Sequence, residues 1–332
     1  MKGKAFFSLI AVFLALTFTS VSIGVAKEEA FPTRRIQYIF PWKAGIPMYV
    51  LGQMICERLS NVLGKKVTIA AMPGGSGAKS HHHVLSKPAD GYTLLDAWVA
   101  PLIFVVVNRP DIGYTYKDFE PLGGVTIMPF TLVVRKDQPW ETLEEFVQHA
   151  RKHPGLTYNS AGELSVPHAV MAAFLRNAGI KTRGVPYPGL TAGIKDFLGG
   201  TLDFSLGNFA VQRTYEDRIR ALCVFLDERH PWYPDIPTAK EFGYDPGFGK
   251  AGMGWNGIVV KKGTPPHIIE KLRAALKEVV TSKEFLQECR KRNYLIDYST
   301  PEEFTALCAR SMKELAKGVE AIKWEREQFK KQ

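Results

Sequence analysis

The residues with the widest chemical potential lie between 70 and 94, in "AMPGGSGAKSHHHVLSKPADGYTLL". A glycine cluster, Ser76 and the run His81-His82-His83 follow one another there. A phosphate-cradling P-loop needs glycine directly before its lysine, but Ala78 precedes Lys79 and position 73 is proline. A nucleophile elbow around Ser76 needs glycine at position 78 and again meets alanine. Neighbouring residues on a helix point roughly 100° apart, so three consecutive histidines cannot converge on one ion. Helical zinc pairs are spaced three or four residues apart instead. What survives is an anion-facing turn: successive glycines expose backbone N–H groups, and a helix N-terminus favours negative charge. The alternative is a turn needed only for chain direction. The histidines read as an exposed or half-buried helical face, and no catalytic residue, metal or cofactor is expected.

The elements that would position this stretch alternate between strand and helix. "RRIQYIFPW" is an apolar run closed by proline, and "VLGQMICERLSNVLG" has helical spacing up to Gly64. "KKVTIAAM" runs into the glycine turn and the histidine helix, and "GYTLLDAWVA" is strand-like again. A second series starts at "PFTLVVRKDQP", with Thr142 and Glu145 spaced as a capping box. The strand "LTYNS" then breaks at Ala161-Gly162 ahead of a helix from about His168 to Gly179. "TRGVPY", "LDFSLGNF" and "IRALCVF" complete its strands. Two helices close the chain, one with Pro265 at a first helical position and one capped by Thr300 with Glu303 three residues on. The alternation predicts an α/β layer fold.

Ligands of open α/β sheets sit beyond the carboxyl ends of strands. That directs attention to three turns, 41–49, 73–77 and 160–168. His168 reads either as a hydrogen-bonded capping or core residue or as a ligand contact. Trp42 and Tyr49 either line a pocket or pack.

Lys2 and Lys4 precede an apolar run from Ala5 to Phe18, and Gly24-Val25-Ala26 supplies small residues for cleavage. This order is that of a secretory signal peptide over 1–26, with an uncleaved anchor as the alternative. The net charge of +10 is dispersed along the chain, which suits anionic small molecules rather than nucleic acid. Cys56, Cys223, Cys289 and Cys308 show no C-x-x-C spacing. Cys56 reads as a core residue, and Cys289 and Cys308 sit on neighbouring predicted helices where they could pair.

Several segments together resemble one family, the periplasmic solute-binding component of tripartite tricarboxylate transporters, or Bug family. They are "FPTRRIQYIFPW", "PGGSG" with "KPADGYTLL", "HPGLTYNSAGELSVPHAV", "GVPYPG", "GGTLDFSLGN", "DERHPWYPDIPTAKEFG" and "GWNGIVVKKGTPPHII". The resemblance spans residues 31 to 310 and rests on their order and spacing. It implies a type II periplasmic-binding-protein fold: two lobes with mixed, mainly parallel sheets joined by two crossing strands. Lobe one would comprise 27–127 plus 228–332, and lobe two 128–227.

The same resemblance implies a periplasmic protein that captures a small carboxylate without chemistry and passes it to membrane subunits of a secondary transporter. A monomer with no nucleic-acid partner is expected. Carried over by motif, the ligand contacts would be Trp42, Ala44, Gly45, Tyr49, Gly74, Gly75 and Ser76 on lobe one. Lobe two would supply Ser160, Ala161, Gly162, Ser165, His168, Tyr187, Gly189 and Asn208. "PWKAGIPMY" departs from the family's first loop, with Ile46 for a glycine and Tyr49 for an aspartate, and Leu164 replaces a common glycine. These changes predict a ligand with an apolar or aromatic body rather than citrate. The other readings are the same fold serving a sensor, and a secreted serine hydrolase using Ser76.

Overall fold

In the computed structural model, residues 31–328 are described; the expected signal peptide lies outside them. The first half of the chain builds β1 (Ile36–Phe40), α1 (Pro47–Leu63), β2 (Val67–Ala71), α2 (Ala78–Leu85), β3 (Thr93–Trp98), α3 (Val105–Asn108) and β4 (Phe119–Met128). A second series follows as β5 (Phe130–Arg135), α4 (Leu143–Lys152), β6 (Leu156–Asn159), α5 (Val166–Asn177), β7 (Thr182–Val185), α6 (Ile194–Leu198), β8 (Phe204–Asn208), α7 (Phe209–Thr214) and β9 (Ile219–Val224). The chain returns through β10 (Gly254–Lys261) and ends with α8 (Pro266–Thr281), α9 (Lys283–Lys291), β11 (Ile296–Ser299) and α10 (Pro301–Glu327).

These strands form two sheets, ordered β11-β4-β10-β3-β1-β2 and β7-β6-β8-β5-β9. The chain crosses from the first sheet to the second at Pro129, between β4 and β5, and returns between β9 and β10. A proline offers no N–H to a ladder, so it suits a point where pairing changes sheets. The sheets are mixed, as expected, but parallel pairing does not dominate. Four strand pairs are parallel and five antiparallel among the described residues. The reason is the crossings: β5 and β10 enter their new sheets reversed, and β11 adds antiparallel to β4.

Local signals placed several helix ends. Gly64 ends α1 in the left-handed region at φ 67°. The boxes Thr142–Glu145 and Thr300–Glu303 both form, each with the hydroxyl accepting from the N3 amide and the carboxylate from the cap amide. Thr142→Ala is therefore expected to cost about 1 kcal/mol in a denaturant titration. Pro265 is displaced by one place: it is the cap residue of α8, and Pro266 takes the first helical position.

All four cysteines are buried free thiols, so Cys289 and Cys308 do not pair. Cys308 lies in the main hydrophobic cluster beside Phe304, whereas Cys289 on α9 lies near Arg58 and Arg292. Burial pushes both thiols up to about 12, which keeps them protonated and unreactive.

Candidate ligand-binding cleft

A cleft of about 330 Å³ opens where the two sheets' strands end. On the first sheet's side it takes Trp98 from the end of β3, Thr126 to Met128 from the end of β4, and Pro47, Met48 and Leu51 from the first turns of α1. The second sheet contributes Asn208 at the end of β8, together with Phe209, Val211 and Tyr215. Trp232, Tyr233 and the segment 292–295 complete its rim. Most of this lining is aromatic or aliphatic. Phe209 stacks on Tyr233 at 4.2 Å, and Trp98 meets Trp42 edge-on at 5.2 Å.

Polar groups enter at defined points. Asn208 caps α7, its Oδ1 accepting from the Val211 amide at 2.9 Å while Nδ2 lies 3.3 Å from the Met128 sulfur. The cap bond fixes the side chain at the cleft wall. The N-terminus of α1 opens on the cleft without a side-chain cap and without an acid in its first turn. Tyr294 donates its hydroxyl to the Pro47 carbonyl at 2.7 Å, bringing Arg292 to the same end. Arg292 shares Glu288 with Arg58, so two guanidiniums face one carboxylate. An anion at this end would meet a helix N-terminus and an excess of positive charge.

The loops singled out in the sequence group in two pairs. In the first, Gly74, Gly75, Ser76 and Gly77 all have positive φ. A Cβ at Gly77 would stand 2.7 Å from Pro101 and 3.3 Å from Pro41, so the glycine turn packs against the start of the 41–49 segment. Gly77→Ala, strained at φ +93° as well as crowded, should lower stability by about 2 kcal/mol or more in a melting experiment. Trp42 reaches the cleft wall through Trp98, and Tyr49 packs edge-on against Phe40. Ala44 and Gly45 are exposed.

In the second pair, the Ser160 amide donates to the Val185 carbonyl of β7 at 3.0 Å, and Gly162 approaches Tyr187. Asn159 donates to the Leu190 carbonyl at 2.7 Å, and the next residue, Thr191, lines the cleft. Ala161 has φ +55°, and its amide donates to the Asn159 Oδ1. Tyr187 donates to Asp196, and Gly189 has φ +108°. Ser165 caps α5. His168 is buried, with Nε2 2.8 Å from the Glu325 carboxylate of α10.

Of the expected contacts, Asn208 itself lines the cleft, Trp42 adjoins it through Trp98, and the rest are not among its lining residues. Trp98, Met128, Phe209, Tyr215 and Arg292 were not singled out in the sequence. Phe209 follows the predicted Asn208 and Trp98 lies near the end of a predicted strand, so strand-end position was a usable signal for both. Nothing local marks 292–295; its place depends on how α9 and β11 pack.

The histidine run needs one correction. His81 is fully buried rather than exposed or half-buried: it stacks on Tyr114 at 4.9 Å, and its Nδ1 lies 3.0 Å from the Gly77 carbonyl. Burial lowers its pKa to about 4. An imidazole depressed in the fold contributes stability above its unfolded pKa near 6.5, lost as pH falls towards 4. Relative to His81→Phe, the unmodified protein should therefore lose on the order of 3 kcal/mol across that window, followed by urea titration at each pH.

The model of the tripartite tricarboxylate transporter family receptor matches residues 51–315. The chain belongs to that family. Among its relatives is the protein BugT of Bordetella pertussis, 26% identical over 310 residues, or 91% of this chain and 93% of BugT. A TctC solute-binding protein from Polaromonas superposes with a TM-score of 0.75 at 27% identity, over 87% of this chain and 99% of that one. MatC from Rhodopseudomonas palustris, solved with bound malate, gives 0.71 at 26% identity, over 87% and 100%. The two-sheet architecture of this receptor is thus that of the family's solute-binding proteins. Among the described residues no helix is long and apolar enough to cross a membrane.

Proposed function

We propose that this receptor is exported to the periplasm through a cleaved signal peptide over 1–26. There it binds a small carboxylated solute without altering it and presents that solute to the membrane subunits of a tripartite transporter. The lobes would be 27–127 with 228–332, and 128–227, with the solute held between them. The observation that carries the reading is the cleft itself: aromatic and aliphatic walls, with a helix N-terminus and Arg292 at one end. The carboxylate would sit at that end and an apolar or aromatic body against Trp98, Phe209 and Tyr215. The loops 41–49, 73–77, 160–168 and 187–190 would close over it, supplying the contacts inferred by resemblance.

Mass spectrometry of whatever co-purifies with the mature protein, followed by calorimetry, tests this. An aromatic or aliphatic acid should bind, and Phe209→Ala should weaken it about tenfold or more through lost apolar contact. Tight citrate binding with none to such acids would overturn the proposed ligand class.

A further inference from the structure

Beneath the cleft lies a buried carboxylate whose hydrogen bond to Asn256 leads to the cleft lining. Asp96 on β3 is 1% exposed and accepts from the Asn256 Nδ2 at 2.6 Å. Asn256 in turn accepts, at its Oδ1, the hydroxyl proton of Thr126 at 2.6 Å. Trp98, Asn256 and Thr126 are direct cross-strand neighbours on β3, β10 and β4, and Trp98 and Thr126 line the cleft. An ionised carboxylate only accepts, an amide has one donating and one accepting end, and a hydroxyl has one proton. The direction of the chain is therefore set from Asp96 outwards. With its proton committed to Asn256, Thr126 can offer the cleft only lone pairs.

We propose that Asp96, Asn256 and Thr126 form a polarity-setting chain that makes the receptor select small acids also carrying a hydrogen-bond donor, a hydroxyl or N–H, at the cleft floor. This deepens the carboxylate reading of the preceding section and rests on it. A second carboxylate placed there would face lone pairs with no proton between, and a methyl group would leave the threonine oxygen without a partner. Asp96 and Asn256 are positioning residues; Thr126 makes the contact.

The direction is reversible. The titratable groups facing Asp96 are Tyr38 on β1 and Cys56 on α1, and burial holds both neutral. The Tyr38 hydroxyl and the Trp98 indole N–H are buried nearby without a hydrogen bond of good geometry. Burial pushes the Asp96 carboxyl up to about 7. Once protonated, Asp96 can donate to an Asn256 turned end for end. The Asn256 Nδ2 then donates to Thr126, whose proton is freed for an acceptor on the ligand.

The test is calorimetry with matched probes: the p-hydroxy, p-methyl and p-carboxy derivatives of phenylacetate, and the terminal hydroxy, methyl and carboxy derivatives of hexanoate. In at least one series at about pH 8, the hydroxyl acid should bind at least about tenfold tighter than the other two, and its margin over the diacid should shrink at about pH 6. Asp96→Asn should abolish that pH dependence. Thr126→Val should remove the hydroxyl preference while Thr126→Ser retains it, which separates contact from folding. A hydroxyl acid less than about tenfold tighter than the methyl acid or the diacid in both series at about pH 8, or discrimination unchanged in Thr126→Val, overturns this proposal and leaves the carboxylate reading intact. Failure of every probe to bind at either pH overturns both.

Discussion

Glu325→Ala is expected to lower global stability by about 3–5 kcal/mol, seen as a shift of the urea midpoint. Glu325 projects from the last turns of α10, and its residue is only 4% exposed. One carboxylate oxygen lies 2.8 Å from His168 Nε2 and 3.1 Å from the Tyr158 hydroxyl; the other accepts the Gly184 amide at 3.2 Å. Those partners belong to α5, β6 and β7, so one side chain holds the end of α10 to three elements around the second sheet. Truncation leaves two buried side-chain groups and the part-buried Gly184 amide without their acceptor, and that desolvation dominates the loss. Glu325→Gln keeps an accepting oxygen and should cost less, about 1–2 kcal/mol. A loss no larger for alanine than for glutamine would mean that α10 is held by its apolar face alone, where Gly318 packs on Ala169.

The second large effect is the pH dependence of stability at Asp96. Its carboxyl is raised from the ordinary 3.8 to about 7 by burial, partly opposed by the Asn256 hydrogen bond. A group raised in the folded state contributes stability fully present below its unfolded pKa and lost as pH rises through the folded value. Between about pH 4 and 7 the protein should therefore lose on the order of 4 kcal/mol relative to Asp96→Asn, which carries no charge to bury. Chemical denaturation of both proteins at matched pH values reads this directly. Parallel profiles would show that Asp96 is not the titrating group. His81 acts with the opposite sign over an overlapping window, so the single variants, compared separately, are needed to resolve the two.

The aromatic cleft wall and the hydrogen bonds beneath it are separate features from the glycine turn. Gly74 to Gly77 shape the backbone beside Pro41 and Pro101. Asn208, Thr126 and Arg292 bring side-chain polarity to the lining itself.

Periodicity, caps and turn residues were local enough to read along the chain. Strands β1 to β3 follow from the runs "RRIQYIFPW", "KKVTIAAM" and "GYTLLDAWVA", and the capping boxes at Thr142 and Thr300 from spacing alone. Family membership was likewise legible, because it rests on ordered motifs. Tertiary structure alone decided the pairing direction of β5 and β10, which depends on where the crossings enter a sheet. It also decided that His168 meets Glu325, 157 positions away, and that Asn256 joins Asp96 to Thr126. A hydrogen bond depends on distance in space, and residues this far apart carry no mark of it in their neighbours. The chain specified which side chains could donate and accept; only the folded sheets determined to whom.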